Sequence, residues 1–138
     1  MNTRSIVTWT LVFGLLWNAL GWAGNVFLLG AGWDAAGARL VPDFVPPWSA
    51  LTHELLSFVS DFVYAFAFVW LFARGSDRSM ASSVKLVVLL WLAGAAMTYL
   101  AIVNAGFLPW EIAVQSSLLA LAIFVVTAPL LPWALRAR

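Results

Sequence analysis

Four stretches of this chain stay apolar for long enough to cross a lipid bilayer, and that governs every other reading. A spanning helix needs roughly 20 apolar residues to cover a hydrocarbon core of about 30 Å. The sequence supplies them at residues 6–29, 49–72, 84–107 and 108–131. The connections between them carry breakers. Gly30, Gly32, Gly37, Pro42, Pro46 and Pro47 fall in the first (30–48), and Gly75, Ser76, Asp77, Arg78 and Ser79 in the second (73–83). The third is a tight reversal at Gly106-Phe107-Leu108-Pro109. Ser49 and Ser83 are expected N-caps of the second and third helices. Pro109 is expected in the first turn of the fourth, where its missing N–H costs nothing. The expectation is an all-α, single-domain protein (1–138): four transmembrane helices in an up-down bundle.

Composition agrees and closes off other classes. Of 138 residues, 64% are hydrophobic and 9% charged, whereas a soluble domain carries about 25% charged residues. With no Cys, thiolate chemistry and Cys-based zinc or iron–sulfur sites are excluded. The single histidine, His53, cannot build a multi-His metal site within one chain. No basic run or Gly-rich phosphate loop points to nucleic acid or nucleotide. The N-terminus has some look of a signal peptide, with Arg4, an apolar run and Ala19-Leu20-Gly21. That run continues to Leu29, longer than a usual signal core, so it reads as a membrane anchor.

Of the seven Lys and Arg residues, all but Arg39 fall on one side of this layout: Arg4, Arg74, Arg78, Lys85, Arg136 and Arg138. The positive-inside rule then puts both termini in the cytoplasm of a cell with an inner (plasma) membrane. Trp33, Trp48 and Trp110 are expected at the outer boundary, and Trp9, Trp70, Trp91 and Trp133 near the inner one, as an aromatic belt. Pro47-Trp48 with Glu54-Leu55-Leu56 is echoed by Pro109-Trp110 with Glu111, Gln115 and Leu118-Leu119. This echo fits a parallel duplication, or simply the frequency of Trp at span ends.

Polar residues are unevenly spread in depth. Asp61 lies midway between Trp48 and Arg74, about 20 Å from each at ~1.5 Å per residue. An ionised Asp at a bilayer midplane costs about 2.5–3.5 kcal/mol on insertion scales, so it is expected to be protonated, hydrogen-bonded or facing water. Glu54, Ser57, Asp61 and Tyr64 recur at three- and four-residue steps and share a helix face, with His53 and Ser60 beside it. Asn18, Thr98, Tyr99, Ser116 and Ser117 are expected near the same depth. Asn25, Asn104, Glu111 and Gln115 lie one level further out. From Phe62 to Phe72, from Leu86 to Gly94 and from Leu118 to Leu131 almost every residue is apolar, apart from Tyr64 and Thr127. The pattern reads as an outward-opening acidic pocket closed on the cytoplasmic side. Asp61, Glu54, His53, Asn18, Tyr64, Glu111 and Gln115 are its candidate ligand- or proton-binding residues.

Each has a plainer reading. Glu111 sits where a carboxylate favours the helix dipole. His53 and Glu54 fit a wet interface, and Asn18, Thr98, Ser116 and Ser117 fit helix–helix hydrogen bonding. A structural Asp61–Asn18 hydrogen bond is the alternative for Asp61. Gly14, Gly21, Gly24 and Gly94 are expected to let helices approach closely.

The chain resembles a group of small, uncharacterised four-helix inner-membrane proteins of GC-rich bacteria. The likeness lies in Trp17-Asn18-Ala19-Leu20-Gly21-Trp22, in Leu28-Leu29-Gly30-Ala31-Gly32-Trp33-Asp34-Ala35-Ala36, and in Trp70-Leu71-Phe72-Ala73-Arg74. It implies a fold and a location, without chemistry. Small multidrug transporters also have four short helices, but carry their acid in the first, where this chain has none.

Three functions fit these residues. The first is a non-catalytic helper subunit, or a binder of a lipophilic or cationic ligand in the outer pocket. The second is a small dimeric transporter exchanging a proton on Asp61 and Glu54 for its substrate. The third is a membrane isomerase or cyclase using Asp61 or Glu54 as general acid, with aromatic faces stabilising a cation. No cofactor is expected, pigment or haem ligation by His53 being a minor alternative. The implied partners are the bilayer and a second copy or larger membrane complex.

Overall fold

The computed structural model describes residues 1–39 and 50–136, the side chains at 50, 51, 53, 54 and 136 excepted. It is 85% helical, with no strand among the described residues. The helices are α1 (Thr3–Phe27), α2 (Gly30–Gly37), α3 (Ala50–Arg74) and α4 (Met80–Trp91). A π-helical turn (Leu92–Ala96) follows, then α5 (Met97–Asn104), α6 (Trp110–Thr127) and α7 (Leu130–Arg136). Four segments are long and apolar enough to cross a membrane: Thr3–Phe27, Leu55–Arg74, Met80–Asn104 and Trp110–Leu135, here spans 1 to 4. This is the layout of a multi-pass membrane protein.

The ends of these helices differ from the sequence expectation for local reasons. Span 3 begins at Met80 rather than at residue 84, because Ser79 is its N-cap and accepts from Ser82 N at 3.1 Å. Ser83, the expected cap, is buried within the helix and its hydroxyl donates back to Met80 O at 2.7 Å. The span ends at Asn104, and Gly106 turns the chain at φ 77°, a conformation glycine adopts without steric cost. Pro109 stands one residue outside the first turn of α6, as its N-cap residue in an extended conformation. Span 4 therefore starts at Trp110 and runs to Leu135 through a break at Ala128-Pro129. Pro132 fits the first turn of α7, where an N–H has no helical partner anyway. The expected Ser49 cap lies outside the described residues.

The first connection also departs from expectation, since Gly30, Gly32 and Gly37 lie inside α2. The continuous helix stops at Leu28 and Leu29, whose N–H groups both reach Gly24 O, at 2.9 and 3.2 Å. α2 then lies against α6. Ala36 is buried, and a Cβ on Gly32 would stand 2.9 Å from Ile112 Cδ1.

The spans form a ring, with 1 packed on 2, 2 on 3, 3 on 4 and 4 on 1. The packing is concentrated toward one end. Phe13, Trp17, Ala65, Phe68, Val69, Phe72, Val87, Phe124, Ala128 and Leu131 form the core there, joined by Met1, Val84 and Leu135. Both ends of the bundle sequence and the α3–α4 connection therefore share this end, here the terminal end. Trp17 is its keystone. Its ring centroid lies 4.3 Å from that of Phe124 and 5.5 Å from that of Phe13. Its Nε1 donates to Thr127 Oγ1 at 2.8 Å, and that hydroxyl donates to Ile123 O at 2.7 Å. Trp91, expected at the inner boundary, instead lies mid-span and donates from Nε1 to Ser117 O at 2.8 Å. At the opposite end the bundle is looser: Leu55, Leu56, Phe58 and Val59 on α3 and Met97 and Leu100 on α5 are exposed. α3 packs on α4, and no comparable packing joins α3 to α5 among the described residues.

Between helices in lipid, van der Waals packing replaces the hydrophobic effect as the main attraction. A cavity still forfeits those contacts. Phe68→Ala is expected to cost about 3 kcal/mol, whereas Leu118→Ala, on a residue 52% exposed, leaves stability nearly unchanged. Unfolding of both variants in mixed micelles, followed by tryptophan fluorescence, measures the difference.

Candidate functional site

Asp61 sits at the centre of α3. By its helical angle it falls on the stripe that carries the buried residues Ala65, Phe68 and Phe72, so it projects from the interior face of span 2. It is half-buried, and its carboxylate takes no hydrogen bond from the described residues. On one side of it lies the aromatic core, and on the other, away from the terminal end, the more exposed part of α3, where Ser57 and Ser60 are exposed.

Asn18 approaches from span 1 and does not bind Asp61. Its Nδ2 donates to Gly14 O at 2.9 Å and to Phe58 O at 3.2 Å. This fastens α1 to α3, as expected of an amide used as helix–helix glue. Phe62 lies against Gly14 on the same seam, where a Cβ would overlap its ring. Asn18 thus holds the helix that carries Asp61, leaving the carboxylate without an amide partner.

Tyr64 follows Asp61 by one turn, near enough for the two to interact electrostatically. Helical side chains lean toward the helix N-terminus, so the phenol reaches outward along α3 to the level of the π turn in span 3. There it presses on Gly94, where no Cβ would fit. The sequence marks Gly94 only as a small residue. The π turn around it, in Leu92-Ala93-Gly94-Ala95-Ala96, leaves no mark in a hydropathy pattern, because one extra residue in a turn does not interrupt an apolar run. Such turns gather at functional positions.

The remaining candidates lie apart. Glu111 occupies the first turn of α6 and is exposed, which matches the helix-dipole reading. Gln115 is exposed beside α2, its Oε1 3.5 Å from where a Gly32 Cβ would stand. Gln115 therefore borders the α2–α6 contact. His53 and Glu54 lie in α3, and their side chains lie outside the described residues.

Thr98 and Tyr99, expected near mid-span, stand toward the Asn104 end of span 3, because that span begins and ends earlier than the hydropathy pattern implies, whereas Ser117 O meets mid-span Trp91. Ser116 is 4% exposed, and the Tyr99 phenol stands close enough to interact with its hydroxyl, which meets no full hydrogen-bond geometry among the described residues. Gly14 and Gly24 are close-approach positions as expected, a Cβ on Gly24 standing 2.7 Å from Leu119 Cδ2, whereas a Cβ on Gly21 would meet nothing within 4 Å among the described residues. Among the described residues no three His, Cys, Asp or Glu side chains gather as metal ligands.

No family model, no curated protein and no solved structure matches the chain.

The Tyr64–Gly94 contact can be measured. Gly94→Ala is expected to destabilise the bundle by about 1–3 kcal/mol through overpacking. The double variant Gly94→Ala with Tyr64→Leu is expected to recover most of that loss, because the two positions are coupled. Gly21→Ala, facing open space, stabilises slightly or changes nothing.

Proposed function

We propose that this chain is a small inner-membrane protein that binds a lipophilic cation, or a comparable lipid-like molecule, between the outer parts of spans 2 and 3. Asp61 supplies the counter-charge. One observation carries this reading: a carboxyl group projects from the interior face of an apolar helix and has no protein partner among the described residues. A buried charge is ordinarily paired, so an unpaired one at this depth invites a cation or a proton. Intramembrane acids generally mark ligand or proton sites. Two further features support it. The seam between α3 and α5 lacks the packing found between α3 and α4, and aromatic residues around Trp17 close the far side. Aromatic faces nearby, such as Tyr64, suit a cation. Glu54 and His53 belong to the same helix, about two turns from Asp61 toward its start.

Purified protein is expected to bind tetraphenylphosphonium, with Asp61→Asn weakening binding by at least roughly tenfold. Binding weakens as the pH falls, because cation and proton compete for one carboxylate. Equal binding by Asp61→Asn removes the proposed site.

The second reading, a dimeric proton-coupled transporter, draws on the π turn and on Gly94, which give span 3 a deformable midpoint opposite Tyr64. Proteoliposomes with an imposed pH gradient then accumulate the cation, and Asp61→Asn abolishes the accumulation.

The proposed orientation puts the terminal end in the cytoplasm, where Arg4, Arg74, Arg78 and Lys85 lie, and leaves Arg39 outside. The absence of Cys makes this simple to test. In intact cells an impermeant maleimide is expected to label Asp34→Cys and to spare Ser76→Cys. The reverse pattern inverts the topology.

A further inference from the structure

The α3–α4 connection at the terminal end is a hydrogen-bonded knot. The Asp77 carboxylate accepts from Ser79 N at 2.9 Å through Oδ1 and from Ser79 Oγ at 3.0 Å through Oδ2. Ser82 Oγ donates to Asp77 O at 2.8 Å, and Arg78 Nη2 donates to Ala73 O at 3.0 Å, tying the connection to the end of α3. Asp77 is thereby held in place beside the start of α4.

Between this knot and the two helices lies a groove of about 280 Å³. Its mouth is polar and its floor is apolar. Asp77, Ser82 and Lys85 line the part nearest the connection, and Leu71, Leu86 and Leu89 line the part along the helices. Lys85 makes no hydrogen bond or ion pair among the described residues. Lys85 lies about 7 Å into the helix from Met80 and Leu89 about 6 Å further, at ~1.5 Å per residue. Polarity therefore falls along the groove in the direction in which a bilayer changes from headgroup to hydrocarbon.

We infer that this groove holds a phospholipid with an ethanolamine headgroup. The Lys85 ammonium donates to the lipid phosphate, a charge-assisted contact. The lipid ammonium donates to the Asp77 carboxylate, which accepts one hydrogen bond per oxygen from Ser79 and has lone pairs to spare. The first carbons of one acyl chain lie along Leu71, Leu86 and Leu89. A free cation, Lys85, and a hydrogen-bonded anion, Asp77, in the same mouth match a headgroup that carries both charges. A glycerol headgroup offers no cation to Asp77, so the negative charge of its phosphate stays uncompensated beside that carboxylate. A choline headgroup has no N–H to donate. The inference is independent of the Asp61 site, which lies elsewhere along span 2.

Native mass spectrometry of the full chain, released from micelles doped with ethanolamine, glycerol or choline phospholipid in turn, tests it. The ethanolamine lipid is expected to be retained roughly tenfold better than either of the others. Lys85→Ala reduces retention of all three. Asp77→Asn keeps an oxygen for Ser79 N and erases the preference for ethanolamine. Leu89→Trp fills the floor and lowers retention while leaving the polar mouth intact, which separates loss of the site from loss of the loop. Soluble glycerophosphoethanolamine competes weakly, because it lacks the chain. Equal retention of the three lipids by the unmodified chain overturns the proposal, as does unchanged retention in both Lys85→Ala and Leu89→Trp. Competition by the soluble headgroup as strong as by the lipid makes this a phosphate site and overturns the lipid.

Discussion

The arrangement depends on where the bundle spends its packing. Helices in hydrocarbon gain little from hiding apolar surface, since lipid is as apolar as they are. They hold together through close contact and buried hydrogen bonds. In this chain both are gathered toward the terminal end, around Trp17. Its ring meets Phe13, Phe68 and Phe124. Its indole N–H finds the Thr127 hydroxyl, which in turn finds Ile123 O. One side chain on span 1 thus touches span 2 through Phe68 and span 4 through Phe124 and Thr127.

That concentration has a consequence at the other end. Once the terminal half is fixed, the outer parts of α3 and α5 need not meet, and exposed side chains from Leu55 to Ser60 show that α3 is uncovered there. Asn18 anchors the α1–α3 seam by bonding Phe58 O, and so leaves Asp61 without the amide partner that the sequence offered. Tyr64 leans outward onto Gly94 at the π turn, between the packed region and the open one. The Asp61 carboxyl therefore lies at the boundary between a dense aromatic floor and a loosely packed, exposed part of α3. This contrast, more than any single residue, underlies the functional proposal. The terminal end has its own polar feature in the Asp77–Lys85 groove, built from the connection that closes spans 2 and 3.

Much of this was legible in the hydropathy pattern. The number of spans, their order and the mid-helix place of Asp61 follow from run lengths and from breakers. The departures from the hydropathy pattern are local. Ser83 opens the strongly apolar run and so looks like a cap, yet Ser79 takes that role, since Asp77 and Ser79 together organise the turn. That shift moved Thr98 and Tyr99 outward and put Trp91 at mid-span, where it bonds Ser117 O instead of marking a membrane boundary. Gly30, Gly32 and Gly37 were read as breakers, but Gly32 is small because α2 lies on Ile112. Glycine signals a loop and a close contact equally well, and only a neighbour distinguishes them.

Residue order alone fixed the class of the protein, because a run of some 20 apolar residues has few other stable homes, and it fixed the helix face of Asp61, because 3.6 residues per turn is a local rule. It could not fix which polar groups find one another. Asn18 turning to Phe58, Trp17 to Thr127, Tyr64 onto Gly94, and Gln115 to Gly32 are choices among partners far apart in the chain. Such choices follow from how four helices rotate and slide when their largest rings pack, and no local periodicity encodes that rotation.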